Sequence, residues 1–282
     1  MLDANYKLRI LRRDGRKHVV CACLAKGPKC RRTFRTQTAG MLAGHTKSCG
    51  CLHPTNLPLG LSMTEYHNFQ IYMDGLLLGD GHLTKSTSTT FTLAQATAGH
   101  GWQIKIRRDL KLFGLRTTIG PVGFTPVRTI EGRRVGPHAR RQLYSEVRPE
   151  LKAMRQRWYP KGIKTVPKDI RLTPICLANW IAGDGCGTLG GLVLHTQSFT
   201  KHECERLAAA LPTTAIVQRA RKQGQYVIRI PRRYVPPLDA LVRPHMPACK
   251  RYKLDRALPL SNRAPRMQAK QKADPNATVE ED

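Results

Sequence analysis

IYMDGLLLGDGHL at residues 71–83 and CLANWIAGDGCG at residues 176–187 are two versions of one phrase: an apolar, helix-forming run that stops at Gly-Asp-Gly. The first run extends back to Ser62 (SMTEYHNFQIYMDGLLLG), and the second opens at Thr173-Pro174, with threonine as cap and proline at the first helical position. Each is followed by strand-like alternation, HLTKSTSTTFTLAQA after the first and GTLGGLVLHTQSF after the second. In the second half Thr200-Lys201-His202-Glu203 reads as a capping box opening CERLAAAL. A hairpin, AIVQRARKQGQYVIRI, then turns at Gln223-Gly224, and VPPLDALVRPH supplies a short closing helix. The order helix, two strands, helix, two strands, helix is clear there and looser in the first half. The chain is therefore expected to be α/β, with two pseudo-symmetric αββαββα repeats over 62–165 and 166–260 forming one body whose sheets are both available on one side.

The glycines and aspartates of the repeated phrase have physical reasons. Gly79 and Gly183 carry no Cβ and let another backbone come close. Gly81 and Gly185 suit the left-handed conformation that ends a helix. Asp80 and Asp184 then sit at the negative end of a helix dipole, the wrong end for an anion unless a cation balances it. Two such helices packed side by side bring both carboxylates together as a pair suited to a divalent metal. The second helix has Asn179 and Trp180 where the first has Gly75 and Leu76, so the interface is expected to be asymmetric and the two halves unequal.

Charge narrows the partner. Lys+Arg number 48 against 19 Asp+Glu, a net +29 over 282 residues, and such a field attracts polyanions. About +10 falls in residues 1–60, +19 in 61–260 and none in 261–282. No apolar run approaches the roughly 18 residues of a membrane span, and the N-terminus lacks the apolar region of a secretory signal. An intracellular, non-secreted, nucleic-acid-binding protein is expected, in a bacterial or phage-infected cell or an organelle. Basic residues concentrate where strands are expected: Arg128, Arg133, Arg134, Arg140 and Arg141 in the first half, and Arg219, Arg221, Lys222, Arg229, Arg232 and Arg233 in the second. A merely solvated face would mix signs, yet only Glu131 interrupts these runs. Arginine can read guanine bidentately, whereas lysine mostly neutralises phosphate.

With these residues in view, the sequence resembles a monomeric, two-repeat LAGLIDADG homing endonuclease over roughly residues 62–260. MDGLLLGDG and LANWIAGDG stand where that family has its signature helices. WYPKGIKTVP (158–167) with IRLTP (170–174) resembles the connection into the second helix. GLVLHTQSFTKHECERLAAAL resembles the strand and helix after it, and KRYKL (250–254) the closing segment. The resemblance implies a saddle whose two sheets lie in the major groove of double-stranded DNA, and cleavage of both strands of a long target with short 3′ overhangs. It implies that Asp80 and Asp184 bind Mg²⁺ (or Mn²⁺), each serving one strand, with Lys164 and Lys253 beside the active centres. Gln95 and Gln197, on the strands after each helix, match polar positions near the metals. His82 and His195 are read as DNA contacts or surface residues. The other reading is a protein on the same fold that binds DNA or assists splicing of intron RNA without cutting.

Nine cysteines without an export signal argue against a disulfide framework. Five lie in residues 21–51, as Cys21-Ala-Cys23, Cys30 and Cys49-Gly-Cys51. Four thiolates around Zn²⁺ would let a short polar segment fold without much core. The segment TKSCGCL from Thr46 resembles the end of small zinc-binding modules found beside mobile-element nucleases. Cys23, Cys30, Cys49 and Cys51 are the expected ligands, with Cys21 competing for one place. The module is expected over 1–53, a linker over 54–61 and a disordered tail over 261–282.

Overall fold

Alternation shapes the first strands. In β1 (Leu8–Asp14), β2 (His18–Cys23) and β3 (Thr33–Gln37), an antiparallel sheet of order β1-β2-β3, the middle strand buries every second residue: Val19, Cys21 and Cys23. The computed structural model describes residues 8–24, 32–39, 59–85, 88–130, 133–220 and 223–259. Cys30, Cys49, Cys51, Arg221, Lys222, most of the expected linker and the expected tail lie outside the described residues. The chain forms two units, Met1–Leu59 with Val147–Glu150, and Gly60–Glu146 with Leu151–Asp282.

The second unit begins at a reciprocal cap. Ser62 Oγ accepts from the Glu65 amide at 3.3 Å while Glu65 Oε2 accepts from the Ser62 amide at 2.8 Å, starting α1 (Met63–Leu78). Each such cap contributes about 1 kcal/mol. From Ile71 to Leu78 every residue of α1 is buried, which marks a central helix rather than a surface one. There follow β4 (Gly81–Leu83), β5 (Phe91–Ala96), α2 (His100–Leu112) and β6 (Thr117–Ile119). Trp102, Ile106 and Leu110, spaced at i, i+4, i+8, form the buried face of α2.

Between β6 and the next long strand the first repeat carries an insertion, β7 (Gly123–Phe124) and a separate hairpin of β8 (Arg128–Ile130) and β9 (Arg133–Val135). It explains why the repeat pattern is blurred in this half. Then come β10 (Ala139–Ser145) and α3 (Pro149–Trp158).

The second repeat follows the expected plan without insertion. Thr173 caps α4 (Pro174–Asp184), accepting from the Cys176 amide at 3.4 Å, with Pro174 at the first position. β11 (Gly185–Thr188), β12 (Gly191–Leu194), α5 (Lys201–Ala210), β13 (Ile216–Arg219), β14 (Tyr226–Pro231) and α6 (Val235–Val242) follow. A last short helix, α7, spans Tyr252–Asp255. The expected box at Thr200 is present, Glu203 Oε2 accepting from the Thr200 amide at 2.8 Å.

Strand order is β4-β5-β10-β6 in the first sheet and β11-β12-β14-β13 in the second, the same topology twice. One face of each sheet is buried under its helices, through Leu83, Phe91, Leu93 and Leu143 in the first and Leu192, Leu194, Ile228 and Ile230 in the second.

Candidate active site

α1 and α4 meet backbone to backbone. A Cβ placed on Gly75 would fall 2.3 Å from the Cys176 carbonyl oxygen, and one on Gly183 would fall 2.9 Å from the Asp80 amide nitrogen. Only glycine permits that approach, and it brings the two helix ends, with Asp80 and Asp184, against one another. Gly81 and Gly185 differ from expectation. Gly185 has φ −70°, and Gly81 is not among the positive-φ glycines. They are glycines for space instead: a Cβ on Gly81 would lie 2.5 Å from the Leu76 carbonyl oxygen, and one on Gly185 2.6 Å from that of Ile181.

The negative helix ends are balanced by two lysines placed alike. Lys164 Nζ donates to the carbonyls of Gly79 and Gly81, each at 3.4 Å, and Lys253 Nζ donates to the carbonyl of Gly183. Burial lowers both to a pKa of about 8, the aspartates opposing that shift. Burial, and next the neighbouring Asp80 charge, push Asp184 up to about 7 against the pull of both lysines. A carboxylate so raised gains from a cation placed beside it.

The two acids are not held alike. Gln95, on β5, donates from Nε2 to Asp80 Oδ2 at 2.6 Å. Gln197 lies past the end of β12, in the turn before α5, and its Nε2 and His195 Nδ1 are hydrogen-bonded at 3.0 Å. It is not on a strand as expected. Pairing shows why: Gly81 faces Leu93 and Gly185 faces Leu194, so the counterpart of Gln95 is Thr196, whose Oγ1 donates to the Tyr226 carbonyl at 3.0 Å. Among the described residues no side chain hydrogen-bonds the Asp184 carboxylate.

Sequence reasoning also passed over Lys250. Its ammonium is buried, 2.7 Å from Gln95 Oε1 and 4.9 Å from the centre of the Trp102 ring. The only signal was its place three residues before Lys253. Asp74, in the first signature helix, has a structural role: Arg157 grips both its oxygens at 2.6 and 3.0 Å, and Trp158 Nε1 donates at 2.8 Å. His82 Nδ1 meets Tyr159 Oη at 3.1 Å.

The basic residues divide by strand parity. Arg140 is exposed on the open face of β10 with Gln142 and Tyr144, whereas Arg141 shares the parity of buried Leu143 and is half-buried. Arg229, half-buried, stands on the open face of β14, opposite Ile216 and Val193. Arg219, exposed at the end of β13, shares the parity of Val217, which pairs with buried Ile228. Arg232 is half-buried, with Nε and Nη2 unpartnered among the described residues, and exposed Arg233 stacks on Tyr234 at 4.7 Å. Arg128 lies on β8 and Arg133 and Arg134 on β9, Arg134 exposed. Among the described residues no helix is long and apolar enough to cross a membrane.

An uncharacterized protein of Methanocaldococcus jannaschii is 30% identical over 143 residues, 48% of this chain and 52% of that protein. Cytochrome b mRNA maturase bI2 of Saccharomyces cerevisiae is 26% identical over 203 residues, 64% of this chain and 45% of the maturase. The chain spans about half the length of these curated relatives. Its fold is similar to that of the homing endonuclease I-WcaI, solved bound to its DNA recognition sequence, with a TM-score of 0.52 and 19% identity over 70% of this chain and 95% of that one. Residues 70–238 match the LAGLIDADG DNA endonuclease family. That match runs from the middle of α1 into α6, through both acid-bearing helices and both sheets, and the chain belongs to the LAGLIDADG DNA endonuclease family.

Proposed function

We propose that this protein is a site-specific endonuclease that hydrolyses both strands of a long double-stranded DNA target, leaving short 3′ overhangs, and works as a monomer because one chain supplies both repeats. The observation that carries the reading is the pairing of Asp80 with Asp184 at glycine-packed helix ends, each end with its own buried lysine. The donor set fits Mg²⁺ or Mn²⁺. Both side chains offer hard carboxylate oxygens, and the raised Asp184 marks a site short of positive charge. A bound divalent ion supplies an activated water and a Lewis acid on the phosphate. Asp80 and Asp184 would hold the ions. Lys164 and Lys253 present positive charge where the scissile phosphate gains negative charge, in a site that already excludes much of the solvent. Gln95 fixes the Asp80 carboxylate. Arg140 and Arg229, on the open sheet faces, contact the DNA, and exposed Arg134 and Arg233 extend the footprint.

In the N-terminal unit Cys21 and Cys23 share the buried face of β2. We assign Cys23, with Cys30, Cys49 and Cys51, to a structural Zn²⁺, Cys21 competing for one place. Burial holds the Cys21 thiol above its usual value, so a metal at this place would have to displace its proton.

A second reading has its own support, since a relative over 64% of this chain is named a maturase. In that reading the protein binds intron RNA and does not cut DNA. Selection of cleaved sites from a randomised DNA library in Mg²⁺ separates the two: recovered sites support the endonuclease, and none recovered while intron RNA is bound supports the maturase.

A further inference from the structure

We infer that Lys250 is a positioning residue that orients Gln95, and through it Asp80, so that one of the two acids is held ready and the other is not. The inference rests on the endonuclease reading and adds a device peculiar to the first acid.

A glutamine amide is nearly symmetric in shape, so the end it shows to Asp80 is decided by what its other end meets. Lys250 Nζ, 2.7 Å from Oε1, carries donors only. Turning the amide over would set its NH₂ against the ammonium and its oxygen against the carboxylate, two repulsions in place of two hydrogen bonds. Lys250 therefore commits Nε2 to Asp80 Oδ2, at 2.6 Å. Among the described residues Oδ1 accepts no hydrogen bond, which leaves it for a cation. Two further features hold the relay. The Trp102 ring lies 4.9 Å from Lys250 Nζ, and a Cβ on Gly99 would come within 2.8 Å of Gln95 Oε1, so the amide has room only because residue 99 is glycine. Among the described residues the second half does not repeat the relay: Thr196 takes the register place of Gln95 and gives its hydroxyl to the Tyr226 carbonyl.

The test uses Lys250→Met, which keeps an unbranched chain but no donor. In metal-free, DNA-free protein the Gln95 side-chain NH₂ resonances, identified by their loss in Gln95→Glu, are expected to be well separated and to collapse toward free-glutamine positions in Lys250→Met. Unchanged resonances would overturn the relay. On a target selected with the wild-type protein, removing a partner behind a metal ligand lowers activity by about 10–100-fold. That loss is expected for one strand, the strand that Asp80→Asn leaves whole, so nicked DNA accumulates. Equal slowing of both strands, or of neither, contradicts the inference. If Lys250→Met does not fold, Gly99→Ala keeps Lys250 but pushes a methyl against Gln95 Oε1 and is expected to give the same strand bias, with a strand-neutral result again contrary. If the wild-type protein cuts no DNA, the endonuclease reading falls while the amide resonances still decide the relay.

Discussion

Replacing Gly75 by alanine sets two effects of opposite sign against each other. In a helix interior the change alone raises stability by roughly 0.5–1 kcal/mol, because alanine loses less conformational freedom. Here the new Cβ would stand 2.3 Å from the Cys176 carbonyl oxygen and 2.8 Å from its Cα, where ordinary contact begins at 3.4 Å. Both clashing groups are backbone, so α1 and α4 must part by about 1 Å. Overpacking of this kind costs about 1–3 kcal/mol, and this contact belongs at the upper end. A net loss of about 2 kcal/mol follows. At roughly 2–4 °C per kcal/mol for a body of this size, Tm should fall by about 4–8 °C in a thermal unfolding scan. Gly183→Ala is milder, with closest approaches of 2.9 Å to the Asp80 nitrogen and 3.0 Å to the Gly79 Cα. Its clash nearly cancels the helix gain, so Tm should move by no more than about 2 °C. Yet it spreads the two acids by about 0.5 Å, and since 1 Å of misplacement can cost ~10²-fold, cleavage should slow about tenfold with DNA binding unchanged. A Gly75→Ala protein with an unchanged or higher Tm would mean that helix propensity decides and the helices do not touch, and the account of the paired phrase would be wrong.

Other outcomes follow from the same geometry. Arg157→Met strands Asp74 without its bidentate partner and should cost about 3–5 kcal/mol near neutral pH. Burial already raises the Asp74 pKa, so this group adds stability as pH falls through its folded value and loses it as pH rises. The Arg157→Met deficit should therefore shrink in acid, and a pH-independent deficit in denaturant titrations would contradict the pairing. Arg140→Gln and Arg229→Gln should each lower the slope of log K against log salt by about 1 if they meet phosphates, measured by DNA binding across salt concentrations; an unaltered slope removes that residue from the interface. Protein never exposed to chelator should carry about one equivalent of zinc, and less than about half an equivalent would count against the cysteine module.

How much of this the sequence disclosed depends on the kind of interaction. Caps and apolar runs act locally, so the starts of α1, α4 and α5 could be read from Ser62, Thr173 and Thr200 and their neighbours. The order of elements in the second repeat followed, since each boundary carries its own turn or cap chemistry. The insertion after β6 did not, because its strands are two or three residues long and show no period. Register was the other gap. One residue separates Gln197 from Thr196, and a shift of one reverses the face on which a side chain stands. Only the pairing of Gly185 with Leu194 makes Thr196 the counterpart of Gln95. Lys250 was beyond sequence reasoning for a third reason: it meets Gln95 across 155 residues, and nothing local distinguishes it from the many other basic residues. The glycines of the phrase were recognised as a signal but half of them for the wrong cause, since crowding by a carbonyl and a left-handed turn both demand glycine.

The central claim is that Asp80 and Asp184 form one double-strand-cutting centre, and strand-resolved cleavage of a selected target in Mg²⁺ tests it most directly. Asp80→Asn and Asp184→Asn should each bind the target about as tightly as the wild-type protein and should each fail to linearise it. Linear product from both variants at the wild-type rate would contradict the account.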